Sequence, residues 1–337
     1  MKSGINFLVL LLLPMLVLFS LITSCEAPLS PFPSFKPINV DENTIFLTSR
    51  WDDNCHKIIA FDTKTETAIY TYKFPESIIY DFFYDKSFDE SMYFLTLNGR
   101  IARLNPLTGK VQELHFELSR VAERFTYINN ELWIAPCVPG FKDVPVTYAV
   151  YNAQTGKVRY ETLPSGVIFC EEYAGYENGN TYISFYISQQ PAEIYNITQK
   201  KGVDISCLDK ENKCYFCIEF YDPYMVCVHW NEQQNQRNTD VFHYSITDNV
   251  LSVEKLFFAD GFYNMNSLYQ NDDVIVYVTT DSFIAFDKKN NYREKARVPI
   301  DIKGEYSARH GDNIYIIQAW TDKVYKYDMI NLTCSLI

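Results

Sequence analysis

The chain has 337 residues, carries a formal net charge of −12, and is 16% aromatic and 21% charged. A length of this order suits one large closed domain or two ordinary ones, and so apolar a composition excludes a disordered chain. The acidic balance, with no basic patch against it, argues against nucleic acid as a partner and leaves cationic partners open.

Lys2 precedes the apolar run "FLVLLLLPMLVLFSLI" at 7–22, and "ITSC" follows at 22–25. A charged start, an apolar stretch of this length and small residues before a cysteine form an export signal. Ile22, Thr23, Ser24 and Cys25 stand in the order of a lipobox, and this stretch resembles a bacterial lipoprotein signal. The resemblance implies cleavage before Cys25, acylation there, for example by palmitate, and retention at the cell envelope. It leaves open which membrane, outer or inner. A plain secretory signal or a single anchor helix is the alternative. The expected organisation is a signal over 1–24, a short tether over 25–34 and one domain over 35–337. Processing would remove Lys2 alone among the charges. The C-terminal "CSLI" has the form of a prenylation box, but an exported chain never meets that cytosolic chemistry.

Downstream, one local pattern recurs: an aromatic or aliphatic residue, then a polar turn with Asp or Asn at or near its start. It stands at "FDTKTE" (61), "LNPLTGK" (104), "YNAQTGK" (151), "YNITQKK" (195), "YSITDN" (244), "FDKKNN" (286) and "YDMINL" (327), in steps of 41–49 residues. Asp and Asn favour such turns because their side chains bond the backbone two residues on, and Gly109 and Gly156 supply positive φ. Each mark is predicted to end one strand and open a tight turn. Ahead of the marks lie alternating apolar stretches: 43–49, 91–97, 130–136, 180–186, 224–230, 273–279 and 313–319. More polar strands follow the marks, as at 110–116, 157–163 and 251–257, and a further strand precedes each unit, as at 78–84 or 262–268. No periodic helix follows the signal.

A period of this length with four strands per unit predicts an all-β fold, a β-propeller of four-stranded antiparallel blades, most simply seven, with six or eight as alternatives. "KPINVD" (37–42) is expected as the inner strand of the first blade and "LTCSLI" (332–337) as the outer strand of the last. The turns resemble those of bacterial extracytoplasmic propellers of the quinoprotein-like and TolB-like kinds. That resemblance covers nearly the whole chain after the signal and implies fold, not activity. The chain lacks the GH…WD signature of WD repeats.

With strands named A to D from the axis outward, the marks are C–D turns, and the variable B–C loops open on the other face. These loops hold the candidate binding residues. Trp51, Trp230 and Trp320, with Phe141, supply apolar anchors. Asp52, Asp53, His56, Lys142, Arg237 and Asp322 supply polar ones. Trp133 lies inside a B strand and is expected in the core. The reading is a membrane-tethered binding or scaffold lipoprotein that recognises an envelope or cell-surface protein, or a glycan, through this face. The alternative is a propeller enzyme, a hydrolase or lyase acting on a small substrate or glycan in the central funnel, with His56 and His310 as the histidines nearest to it. No H-E-x-x-H, G-x-S-x-G or P-loop is present, the carboxylates at 52–53 lack the spacing of a calcium loop, and no cofactor or metal is expected.

Nine cysteines include Cys25. The pair in "CYFC" (214–217) would face opposite sides of a strand, so either Cys214 or Cys217 is instead a candidate partner for Cys227, with ordinary buried thiols as the plainer reading. Asn196 and Asn331 fit glycan acceptor motifs but fall in C–D turns.

Overall fold

The computed structural model describes residues 34–337 except 49–56, 75–78, 87, 97, 137–144, 164–166, 169–173, 187–190, 212, 232–235, 261–262, 280, 301–306, 319–320 and 322. Strands build seven antiparallel sheets in chain order. The first holds β1 (Thr44–Thr48), β2 (Lys57–Asp62) and β3 (Thr67–Lys73). The second holds β4 (Ile79–Phe83), β5 (Met92–Thr96), β6 (Ile101–Asn105) and β7 (Lys110–Leu114). The third holds β8 (Ala122–Ile128), β9 (Glu131–Pro136), β10 (Val146–Asn152) and β11 (Lys157–Leu163). In the fourth, β12 (Val167–Ile168) and β13 (Gly175–Glu177) share the inner position against β14 (Asn180–Tyr186), followed by β15 (Glu193–Asn196) and β16 (Lys201–Gly202). The fifth comprises β17 (Tyr215–Tyr221), β18 (Tyr224–Asn231), β19 (Gln236–Thr247) and β20 (Val250–Asp260). The sixth comprises β21 (Tyr263–Gln270), β22 (Val274–Thr279), β23 (Ser282–Asp287) and β24 (Arg293–Pro299). The last comprises β25 (Ser307–His310), β26 (Asn313–Ile317), β27 (Val324–Asp328) and β28 (Thr333–Leu336). The described residues hold two short 3-10 turns, Ser206–Glu211 and Lys288–Asn290.

The sheets are the blades of a seven-bladed propeller, and burial explains why they stack. In β22 every residue is buried. Val274, Val276 and Val278 pack with Ile314, Ile316 and Tyr327 of the seventh blade. The alternate residues Ile275 and Tyr277 pack with Val226, Val228 and Val241 of the fifth. The same division repeats at every blade, so one apolar cluster fills each of the seven seams. The last seam joins Tyr315, Ile317 and Val324 to Ile45, Leu47, Ile59 and Phe61 and closes the ring. A lone blade would leave both faces of its B and C strands in water; at about 25 cal/mol per Å² of apolar area, that burial is the main stabilising term.

The C–D turns occupy equivalent corners, and their chemistry is that of the marks. The side-chain Oδ1 of Asp62, Asn105, Asn152, Asn196, Asp287 and Asp328 each accepts a backbone N–H two or three residues on, at 2.8–3.1 Å. Four residues after each stands a residue with positive φ: Glu66, Gly109, Gly156, Lys200, Asn291 and Leu332. Asn196 is wholly buried and donates to Asn249 Oδ1 at 2.8 Å, so its role is structural. Asn331 donates to Asp328 Oδ2 at 2.7 Å. In the fifth blade the turn falls at the end of the mark rather than near its start: Tyr244 to Thr247 belong to β19, and Asp248 and Asn249, the last two residues of the mark, make the turn, both with positive φ. Those dihedrals are the pair a two-residue hairpin needs, and they let β19 and β20 run to 12 and 11 residues.

Two expectations are corrected. Residues 37–42 form no inner strand, and the first sheet has three strands among the described residues. Instead Phe35 and Ile38 donate their backbone N–H groups to the carbonyls of Gly109 and Pro106 in the β6–β7 turn. Phe35 packs edge-on against Tyr72 and Phe74, and with Ile38 and Val40 it covers the seam between blades 1 and 2. Gly109 is required there: its φ is +68°, and an added Cβ would lie 1.9 Å from the Phe35 carbonyl oxygen. The second correction concerns Cys214, Cys217 and Cys227, none of which is bridged to another of the three. The register sets Ile218, not Cys217, opposite Cys227. Cys217 and Cys227 therefore face different seams, and Cys214 is exposed. The expected outer strand of the last blade is present as β28.

Candidate recognition sites

Strand directions put the B–C loops on one face and the A–B and C–D turns on the other. On the B–C face, Trp230 is the next-to-last residue of β18 and stays 47% exposed. Its cross-strand neighbour is Arg237 at the start of β19. The two sequence candidates are thus brought side by side, and the Arg237 guanidinium lies 5.6 Å from the centre of the Phe216 ring. An exposed indole beside an arginine held over a ring is the side-chain pairing that dominates many binding interfaces.

Trp51, Asp52, Asp53, His56, Phe141, Lys142, Trp320 and Asp322 lie outside the described residues, as does Cys25. The stems of two of their loops are described. Lys57, which follows the first loop, donates its ammonium to the carbonyl of Thr321 at 3.2 Å, tying blade 1 to blade 7 at this face. His310 stands at the β25–β26 turn, on the opposite face. Trp133 is buried in the seam between blades 3 and 4, as expected.

At the B–C end of the seam between blades 4 and 5 lies a polar cluster that sequence reasoning missed. Asp240 is fully buried in β19. Its Oδ2 accepts from Lys213 Nζ at 2.6 Å and from Tyr215 Oη at 2.7 Å, and Lys255 Nζ stands 2.9 Å from Oδ1. His229 Nε2 is 3.5 Å from Oδ2. Burial alone would raise the carboxyl pKa; the hydrogen bonds from Lys213, Lys255 and Tyr215 outweigh it and hold Asp240 below the ordinary carboxylate range. Burial pushes the His229 pKa down, opposed by Asp240 and reinforced by Lys213, so the imidazole is neutral near pH 7. The one signal in the sequence was Asp240 itself, a charge in a run buried on both faces, with Thr239 and Val241 as flanks. A single carboxylate between two ammonium groups is a structural ion cluster, in which His229 Nε2 is left without a hydrogen-bond partner. Among the described residues no group of three or more His, Cys, Asp or Glu is placed to hold a metal ion.

No protein-family model and no curated protein matches this chain. Solved structures do. The computationally designed protein Ika8 superposes with a TM-score of 0.50 at 12% identity, over 89% of this chain and 85% of that one. The C-terminal WD40 domain of Sif2 gives 0.48 at 13% identity, over 87% and 80%. BamB from Moraxella catarrhalis gives 0.46 at 12% identity, over 90% and 90%. The likeness is one of fold. At such identities no ligand or reaction passes from those proteins to this propeller.

Proposed function

We propose that this chain is an exported, lipid-anchored binding or scaffold propeller of a bacterial cell envelope, attached through Cys25. Its B–C face recognises an envelope protein or a surface glycan. The observation that carries the reading is the exposed Trp230 beside Arg237 at the loop end of blade 5. Burying an indole that now faces water would contribute about 1.5–3 kcal/mol to a contact. The sequence candidates Trp51, Phe141 and Trp320 would enlarge that surface, with Asp52, Asp53, His56, Lys142 and Asp322 as polar rim. The Ile22–Cys25 motif supports the anchor.

The binding reading is tested by passing envelope extract over the immobilised native protein and over a variant carrying Trp51→Ala, Trp230→Ala and Trp320→Ala. The expected outcome is a discrete retained protein or glycan that the variant loses, while its β-rich circular dichroism is unchanged. Equal retention by both would remove the B–C face from the reading. The anchor has its own check: mass spectrometry of the membrane fraction should find an acylated N-terminal Cys25, and an unacylated start elsewhere would refute it.

A further inference from the structure

The described residues contain a cleft on the opposite face, in the seam between blades 3 and 4, where the A–B and C–D turns lie. Its deep part is about 160 Å³ and is walled by Glu131 and Trp133 of blade 3, Arg159 and Glu161 of β11, and Thr198 and Lys200 of the β15–β16 turn. Register explains how distant residues meet there. Trp133, Val150 and Arg159 stand in line across β9, β10 and β11. The indole of Trp133 therefore lies along the sheet under the Arg159 guanidinium, 5.8 Å from it.

Two features of this cleft point to a ligand. Trp133 is 5% exposed and its Nε1–H, buried, has no hydrogen-bond partner. An orphaned buried donor costs about 1–3 kcal/mol, so native proteins rarely leave one without a use. The charges around it are already matched. Arg159 bonds Glu131 at 2.7 Å and lies 3.4 Å from Glu161, and Lys200 lies 3.6 Å from Glu161. A charged ligand would compete with these pairs. A neutral hydroxyl would not: it can accept from an N–H and donate to a carboxylate lone pair at once.

The cleft continues past Asn129 and Thr198 into a wider hollow of about 440 Å³ edged by Tyr176, Asn178, Asn180 and Thr181. Tyr176 is 43% exposed, and its hydroxyl accepts from the Asn129 backbone N–H at 3.3 Å across the seam. The ring is thereby fixed as a flat, half-open aromatic platform, the shape on which a sugar ring stacks. Asn129 itself is held by donating Nδ2–H to Thr181 Oγ1 at 3.0 Å.

We infer that the blade 3–4 cleft is a binding site for a short neutral saccharide, with one ring hydrogen-bonded to Trp133 Nε1 and the next stacked on Tyr176. This inference stands apart from the B–C face and does not depend on it.

The chain has four tryptophans, so an indole-region proton–nitrogen spectrum of the labelled full-length protein in detergent micelles can resolve each N–H, and Trp133→Phe identifies its own. Titration with maltose, cellobiose and N,N′-diacetylchitobiose is expected to move the Trp133 signal saturably with at least one of them. Trp133→Phe and, independently, Tyr176→Ala should weaken that binding roughly tenfold, the loss of one well-made polar or stacking contact. Tyr176→Ala changes an exposed side chain and keeps the test alive if Trp133→Phe folds poorly. The inference is overturned if no disaccharide moves the Trp133 signal, or if both variants bind as the native protein does. It is equally overturned if only inorganic phosphate or N-acetyl-trialanine amide moves it, which would make the cleft an anion or peptide site.

Discussion

Replacing Asp240 with alanine is expected to destabilise the fold by about 3 kcal/mol at pH 7.5, the lower end of what a broken buried ion pair costs. The carboxylate is wholly buried and gathers Lys213, Lys255 and Tyr215. Its loss leaves two ammonium groups and a phenol around an empty space. Lys213 and Lys255 keep 25% and 35% of their side-chain surface in water, so part of the penalty is relieved by their turning outward. A urea midpoint for Asp240→Ala equal to that of the native protein would refute the assignment.

The same cluster contributes to the pH dependence. His229 and Asp240 both have folded pKa values below their ordinary values of 6.5 and 3.8. For each, the unfolded chain binds protons first as pH falls. Their contributions are therefore complete above about pH 6.5 and decline in two steps. The first step begins below pH 6.5, as unfolded His229 takes up a proton that the folded site resists. The second begins below pH 3.8, as the unfolded Asp240 carboxyl does the same. His229→Gln, with no titrating ring, should reduce the first step, and Asp240→Ala should make the second shallower, the remainder coming from Asp41, Asp62, Asp204, Asp273 and Asp328, whose hydrogen bonds also hold their carboxyls below the ordinary range. Urea titrations at pH 7.5, 5.5 and 3.5 separate them.

Tyr277→Ala is expected to cost about 5 kcal/mol, a large part of the total stability of an ordinary domain. The ring is fully buried in the seam between blades 5 and 6, and truncating a buried aromatic costs about 3–5 kcal/mol. Its hydroxyl also meets the buried Thr239 Oγ1 at 2.8 Å, one of the polar contacts that cross a seam. Tyr277→Phe keeps the ring and isolates that bond, so it should cost about 1–2 kcal/mol. Calorimetry of both variants tests the claim that seam packing holds the ring together. A melting temperature for Tyr277→Ala within about 2 °C of the native protein, against the drop of about 8 °C that 5 kcal/mol implies for a domain of this size, would contradict it.

The ring was legible because its chemistry is local and repeated. A strand such as β22, apolar on both faces, announces that it is sandwiched. An Asp or Asn that captures the turn after it marks the same corner in six blades. The fifth corner sits later in its mark because Tyr244 copies the aromatic while the turn is made by Asp248 and Asn249, four and five residues on. The start of the first blade was misread. Phe35, Ile38 and Val40 are apolar enough for a strand, but their partners are Tyr72, Phe74 and the β6–β7 turn, which no local pattern reveals. The candidate sites were legible only where both members share one hairpin, as Trp230 and Arg237 do. Trp133, Arg159 and Thr198 come from two blades, and only the stacking of those blades makes them neighbours.

The clasp of Phe35 and Ile38 on the β6–β7 turn also sets an orientation. The chain enters the disc at its rim, on the side of the C–D turns. Were Cys25 acylated, ten residues would separate it from that point of entry, a leash that reaches at most about 35 Å. The disc would then ride close above the lipid headgroups with Trp230 turned outward to whatever approaches from beyond. The hollow beside Trp133 would open toward the bilayer and sample only molecules that slip into the gap beneath.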